Sequence, residues 1–225
     1  MWNVRVKASL KQIYRSVRIF SLTIVCLVFL ILGPGLAGAG QGEDRRLAAG
    51  VFLVAAPDMR DPRFSRTVIL LVQHSAEGSM GLIINKRSDV AVTYALPELD
   101  SAEANNHVLY FGGPVQPASI MYVYAGDQQQ PDQEILDNVN WGADYDRLQD
   151  LANNRDRGSL RVFFGYTGWG PGQLEFELSL NDWQLEPATA DHVFSKDTKN
   201  MWRLLNGAGT GVITRRLDSG IQPYL

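Results

Sequence analysis

Three sets of residues in this chain have the side-chain types that chemistry needs. His74 follows a buried-looking apolar run and lies within reach, in sequence, of Asp58 and Asp61. A histidine with a carboxylate behind it is the usual general base. Glu175 and Glu177 form the second set, but two residues apart on a helix they diverge by about 200°. That makes them poor acid/base partners and reasonable charges for a helix start. The third is Gly165 to Glu177, Gly-Tyr-Thr-Gly-Trp-Gly-Pro-Gly-Gln-Leu-Glu-Phe-Glu. Its glycines permit positive φ or close approach, while Tyr166 and Trp169 supply rigid surface.

Tests against known catalytic patterns are negative. The glycine stretch ends in Gly172-Gln173-Leu174, without the lysine of a phosphate loop, and the residue three beyond Gly170 is Gln173 where a dinucleotide fold needs glycine. Gly78-Ser79-Met80-Gly81 has the wrong spacing for a nucleophile elbow and falls in a predicted strand. His74, His107 and His192 are far apart in sequence, so neither a metal site nor a cofactor is expected. His74 reads more simply as an ordered loop histidine bonded across the Asp61 to Arg66 turn, with Asp61 and Arg66 as a structural pair. No catalytic residue is assigned.

A binding role is compatible with the same residues. Tyr166, Gly168, Trp169 and Gly170 beside a helix start, with Gly113 and His74, make the candidate ligand-binding set for a small anionic or planar ligand. The competing reading has Trp169 closing the core against Gly112-Gly113-Pro114.

These side chains need a scaffold. Gly50 to Ala55 and Thr67 to Val72 are continuous apolar runs, predicted strands buried on both faces. Gly78 to Asn85 is a third strand after a hairpin at His74 to Glu77, and His107 to Phe111 and Ile120 to Tyr124 are two more. Between Arg87 and Pro97 the pattern turns helical, and Gly126 to Asn140 reads as a solvated excursion. Tyr145, Leu148, Leu151 and Ala152 mark an amphipathic helix ending near Asn153. Leu160 to Phe164 is a strand feeding a glycine loop, with a helix from about Pro171. Trp183 to Leu185 forms a short strand, and a last helix carries Met201 to Leu205, capped by Ser195 or Asp197 and stopped by Gly207. Interleaved strands and helices predict an α/β (α+β) domain, a mixed sheet with helices packed on it.

The start of the chain reads as an address. Five basic and no acidic residues occupy positions 1 to 18, followed by the apolar run Ile19 to Leu32 and then Ala37-Gly38-Ala39. That order predicts a secretory signal peptide, residues 1–39, cleaved after Ala39; the alternative is an uncleaved inner-membrane anchor over residues 19–39. Residues 40–225 then form a single domain in the periplasm or outside the cell. Cys26 lies inside the apolar run and is the sole cysteine, so the mature domain has no disulfide, thiol catalyst or cysteine-bound zinc. The chain has 21 basic and 24 acidic residues. Without the five basic residues of the signal the domain carries a net charge of −8, which repels nucleic acid. Partners are therefore a protein or a small molecule, with membrane contact only through residues 1–39.

Four separated motifs resemble the YqgE/AlgH family of bacterial proteins: Asp61-Pro62-x-Phe64-x-Arg66-Thr67-Val68 with His74, Gly78-x-Met80-Gly81-Leu82-Ile83-Ile84-Asn85-Lys86, Gly112-Gly113-Pro114-Val115, and Gly165 to Glu177. The resemblance implies a compact α/β domain with a pseudo-barrel or three-layer arrangement. It implies no activity, since the family's customary label, transcriptional regulator, names an association. Two departures stand out: family members are typically cytoplasmic and without an export signal, and Arg87 follows Asn85-Lys86 where proline is common. Non-catalytic binding in the envelope is the leading expectation. Cytoplasmic regulation, or a hydrolase using His74 and nearby carboxylates, are the alternatives.

Overall fold

The computed structural model describes residues 47–99, 104–127, 132–153 and 159–207. The signal or anchor expected over residues 1–39 lies outside them. Among the described residues no helix is long and apolar enough to cross a membrane.

The first apolar runs are strands, β1 (Val51–Ala55) and β2 (Val68–Ser75), paired antiparallel. Their alternation explains why both faces are apolar. Phe52, Val54, Val68, Leu70 and Val72 enter one core cluster with Phe163, Val123 and Met201. Leu53, Ala55, Ile69 and Leu71 enter another with Trp169, Leu174 and Trp183. Over Phe52–Ala55 and Val68–Val72 neither face meets water, so neither carries polar residues, and polar residues begin where β2 emerges at Gln73.

β3 (Gly78–Ile83) follows β2 through the two-residue turn Ala76-Glu77. β4 (Arg87–Ala91) leads into a single turn, α1 (Val92–Ala95), then β5 (Val108–Phe111), β6 (Val115–Ala125), β7 (Gln133–Leu136) and β8 (Val139–Gly142). Helix α2 (Tyr145–Asn153) precedes β9 (Leu160–Trp169), and α3 (Gln173–Ser179), β10 (Trp183–Pro187), α4 (Ala190–Val193) and α5 (Thr198–Leu205) complete the described chain. The strand order is β10-β1-β2-β3-β9-β6-β8-β7, with β5 joining β4 to β9.

This corrects the expected fold class. The molecule is not an α/β mix with helices packed on a mixed sheet; it is a mostly antiparallel ten-stranded β structure with short helices. Among the described pairings only β5 with β9 is parallel. For β2–β3 and β7–β8 the short connections are the reason. A two-residue turn returns the chain antiparallel, whereas parallel neighbours need a long crossover. The helical pattern expected after Arg87 is helix only at Val92–Ala95, and the residues before it, like much of the solvated stretch, are strand. Residues 87–91 pair with β5. The Asp/Gln/Asn-rich excursion contains the β7–β8 hairpin, which continues the sheet beyond β6. The helix at Tyr145 and the Asp197 cap, which accepts the Asn200 N–H at 3.3 Å, form as the sequence pattern indicates.

β9 organises the rest. Its first half, Leu160 to Phe164, lies between β5 and β6, and its second half, Thr167 to Trp169, pairs with β3. The change of partners occurs at Gly165, whose φ of 67° is left-handed. A Cβ there would sit 2.3 Å from the Gly113 carbonyl oxygen. Glycine is thus required both for the backbone turn and for the approach of the Gly112-Gly113 segment. The predicted glycine loop is therefore a continuation of the strand, and α3 starts at Gln173 rather than Pro171.

Candidate functional site

The β2–β3 register puts His74 opposite Ser79, and the β3–β9 register puts Ser79 opposite Trp169. His74, Ser79 and Trp169 thus form one row across three strands, beneath α3. The His74 Nδ1 and the Ser79 hydroxyl are 2.8 Å apart, a full hydrogen bond. On the other side of the ring, Nε2 is 3.7 Å from Glu175 Oε1, too long for a good hydrogen bond. The His74 side chain is 13% exposed and that of Glu175 46%. His74 is therefore a strand residue in a Ser79–His74–Glu175 chain, and the expected backbone bond across the Asp61 to Arg66 turn is replaced by the one to Ser79.

Asp61 is engaged elsewhere. It takes the Arg63 guanidinium (Nη2 to Oδ2, 2.6 Å) and the Arg63 amide (2.9 Å), and that pairing holds its carboxyl below the usual range. Its partner is Arg63 and not Arg66. The loop is strapped to the end of β3. The Asn85 amide donates to the Arg66 carbonyl and its oxygen accepts the Val68 N–H, both at 2.9 Å, while Lys86 donates to the Arg63 carbonyl at 2.6 Å.

Trp169 is buried, at 7% exposure. Its indole N–H donates to Glu177 Oε2 at 2.8 Å, and the Trp183 indole does the same at 2.8 Å. The two rings meet edge to face at 6.1 Å. The other Glu177 oxygen accepts the Gln173 amide at 2.9 Å, and Gln173 in turn accepts the Gly170 N–H at 3.1 Å. Glu175 and Glu177 diverge as their spacing requires. Trp169 packs beside Trp183 and Leu174, whereas Gly112 and Gly113 approach the backbone of Gly165 and Tyr166.

The candidate ligand-binding set separates in three dimensions. His74 and Trp169 share one side of the sheet; Tyr166 packs against the core cluster of the opposite side, with Phe52 and Phe163. Gly113 is buried under Tyr166, and Gly168 and Gly170 are exposed. Tyr166 and Trp169 do not line one cradle. Ser79, which the nucleophile-elbow spacing set aside, is the residue the structure adds to His74. The signal was present in the turn, since two central residues, Ala76-Glu77, set His74 opposite Ser79 by register alone. Chemically, the cluster can pass a proton between the Ser79 hydroxyl and the His74 ring. Among the described residues no group of three or more histidine, aspartate or glutamate side chains could hold a metal ion.

The signature residues now have places in one structure, and comparison with known proteins assigns them. A family model described as AlgH-like (DUF179) matches residues 52–209. The chain belongs to the AlgH-like family. A UPF0301 protein of Chlamydia pneumoniae is 36% identical over 162 residues, covering 71% of this chain and 86% of the relative. One from Ruegeria pomeroyi is 38% identical over 161 residues, covering 68% and 86%. The solution structure of the AlgH protein from Pseudomonas aeruginosa is 32% identical with a TM-score of 0.62, covering 78% of this chain and 95% of that one. A crystal structure from Corynebacterium diphtheriae is similar at 29% identity and a TM-score of 0.59, covering 72% and 87%. The AlgH-like signature is therefore largely a set of internal contacts: Asn85 on the loop, Gly113 against Gly165, and Glu177 on two indoles.

Proposed function

We propose that this AlgH-like protein acts by binding a ligand or a protein in the bacterial envelope, without covalent chemistry. Residues 1–39 deliver it there. The carrying observation is the setting of Ser79. It lies within a strand, paired with β2 on one side and β9 on the other, and 9% exposed, where an electrophile has no open approach to the hydroxyl. An activated serine works at an exposed, strained turn beside free backbone N–H donors. The acidic balance of the mature domain and the predicted signal also argue against action at a promoter.

Two assays test this. The full chain is screened against ester, amide and phosphoester substrates beside His74→Ala and Ser79→Ala. Binding without chemistry predicts no turnover that depends on either residue. A reporter active only outside the cytoplasm, fused to the C-terminus, reads delivery, and a silent reporter overturns it.

One observation favours a second reading, a hydrolase: the 2.8 Å Ser79–His74 bond with Glu175 3.7 Å beyond the ring. Its carboxylate is Glu175, not Asp58 or Asp61. Turnover lost in both variants, with folding intact, would establish it.

A further inference from the structure

Among the described residues three strands are paired on one side only: β4, β7 and β10. Two of these edges are blunted. The register of β4 shifts between Arg87 and Ala91, and the Ile135 carbonyl of β7 is pressed against Gly50, where a Cβ would lie 2.3 Å from its oxygen. β10 is regular. It follows β1 without a break from Trp183 to Pro187, with Gln184 and Pro187 exposed and Leu185 half-buried.

The β1–β10 ladder fixes what the outer edge offers. The Ala56 N–H donates to the Asp182 carbonyl at 2.9 Å, and the Ala188 N–H to the Gly50 carbonyl at 3.3 Å. These two bonds and the register turn residues 182, 184, 186 and 188 towards β1. The alternation of an antiparallel ladder then turns Trp183, Leu185 and Pro187 outwards. Among the described residues no backbone or side-chain group meets the N–H or C=O of Trp183 or Leu185. Pro187 has no N–H and closes the open stretch.

Side chains along this edge alternate as well. Trp183 and Leu185 pack on the core cluster of Leu53 and Leu174, so Gln184 and Glu186 lie on the other face. From 162 to 195 the chain has five carboxylates, Glu175, Glu177, Asp182, Glu186 and Asp191, and no lysine or arginine. Glu177 is taken by the two indoles. Arg63, which reaches the Phe64 ring beside Trp183, is already paired with Asp61.

We propose that the outer edge of β10 binds an extended, basic peptide segment of a partner protein, which adds to the sheet as a further strand. The Trp183 and Leu185 main chain holds the segment, apolar side chains lie beside Leu185, and a lysine or arginine lies beside Glu186. A second copy fits worse: paired about Leu185, it brings Pro187 opposite Trp183 at both ends, and each missing N–H leaves a bond unmade. The site rests on the domain being a binding protein, but the two fail separately, since turnover reports on His74 and Ser79 and strand addition on β10.

The test uses the full chain in non-ionic detergent and a fluorescein-labelled heptapeptide of alternating valine and lysine, read by anisotropy at constant ionic strength. Saturable binding is expected. N-methylating one alternate set of peptide N–H groups should weaken it about tenfold and methylating the other set should not, the valine set marking an antiparallel and the lysine set a parallel addition. Glu186→Lys should weaken binding about tenfold, and Asp89→Lys on the β4 edge should leave it unchanged. Thermal midpoints verify folding, and the methylated peptides test the edge on the natural chain if a variant does not fold. No binding, or binding that neither methylation weakens, overturns the proposal. A dimer that Leu185→Pro dissociates assigns the edge to a second copy and overturns it too.

Discussion

The Trp169 indole N–H donates to the Glu177 carboxylate at 2.8 Å, reaching from the end of β9 to the middle of α3. Because Trp183 donates to the same oxygen, one half-buried charge satisfies two buried aromatic N–H groups. This contact fixes α3 on the sheet and explains why a glycine-rich, aromatic stretch is followed by a helix with an acid at this position.

Removing that carboxylate leaves both indoles unpartnered in the core. Glu177→Ala is expected to destabilise the fold by about 2–4 kcal/mol, read by urea unfolding. A loss under about 0.5 kcal/mol would mean that water replaces the carboxylate freely.

The glycine requirement differs from place to place. Gly165→Ala puts a methyl group 2.3 Å from the Gly113 carbonyl oxygen and adds left-handed strain, so a loss above about 3 kcal/mol or failure to fold is expected. Gly172→Ala has a similar φ of 71° but meets nothing within 4 Å, so strain alone applies, about 1–2 kcal/mol. Equal losses in thermal unfolding would refute the role of close approach at Gly165.

Asn85 satisfies the N–H of a fully buried residue, Val68. Asn85→Ala is expected to cost about 1–3 kcal/mol and to speed hydrogen exchange at Val68. Unchanged exchange there would show that the strap does not hold the loop.

Alkaline pH should weaken the fold through Tyr122. Burial, and then its 2.6 Å bond to Asp132, push the phenol pKa up from its ordinary value of 10.0. The unfolded chain releases this proton first, so the stabilisation is complete below about pH 10 and is lost as pH rises beyond it. Between pH 9 and 12, stability of the natural chain should fall more steeply than that of Tyr122→Phe. Parallel slopes would remove Tyr122 as a cause.

Local patterns were legible wherever a local cause dominated. The apolar runs at Phe52 and Ile69 could only be buried strands, and the spacing of Leu148 and Leu151 gave α2. The β7–β8 hairpin was not legible, because its residues are largely polar and become strand only by pairing with β6. The strand nature of Thr167 to Trp169 was hidden for a related reason: glycine composition looks like a loop until β3 lies alongside.

By itself the sequence determined the family, through four separated motifs of which three are glycine-marked, along with the apolar alternation and the cysteine-free, acidic composition of residues 40–225; the address at the N-terminus is an expectation from the same sequence. Tertiary structure decided the strand directions, the burial of Trp169, the separation of Tyr166 from it, and the joining of Ser79, His74 and Glu175. Each of those depends on bonds between distant residues, such as Thr167 to the Gly81 carbonyl, 86 positions apart, and Arg161 to the Ile84 carbonyl, 77 apart. Composition and periodicity report what a segment must hide from water. Which neighbour does the hiding is settled only when strands far apart in the chain come into register.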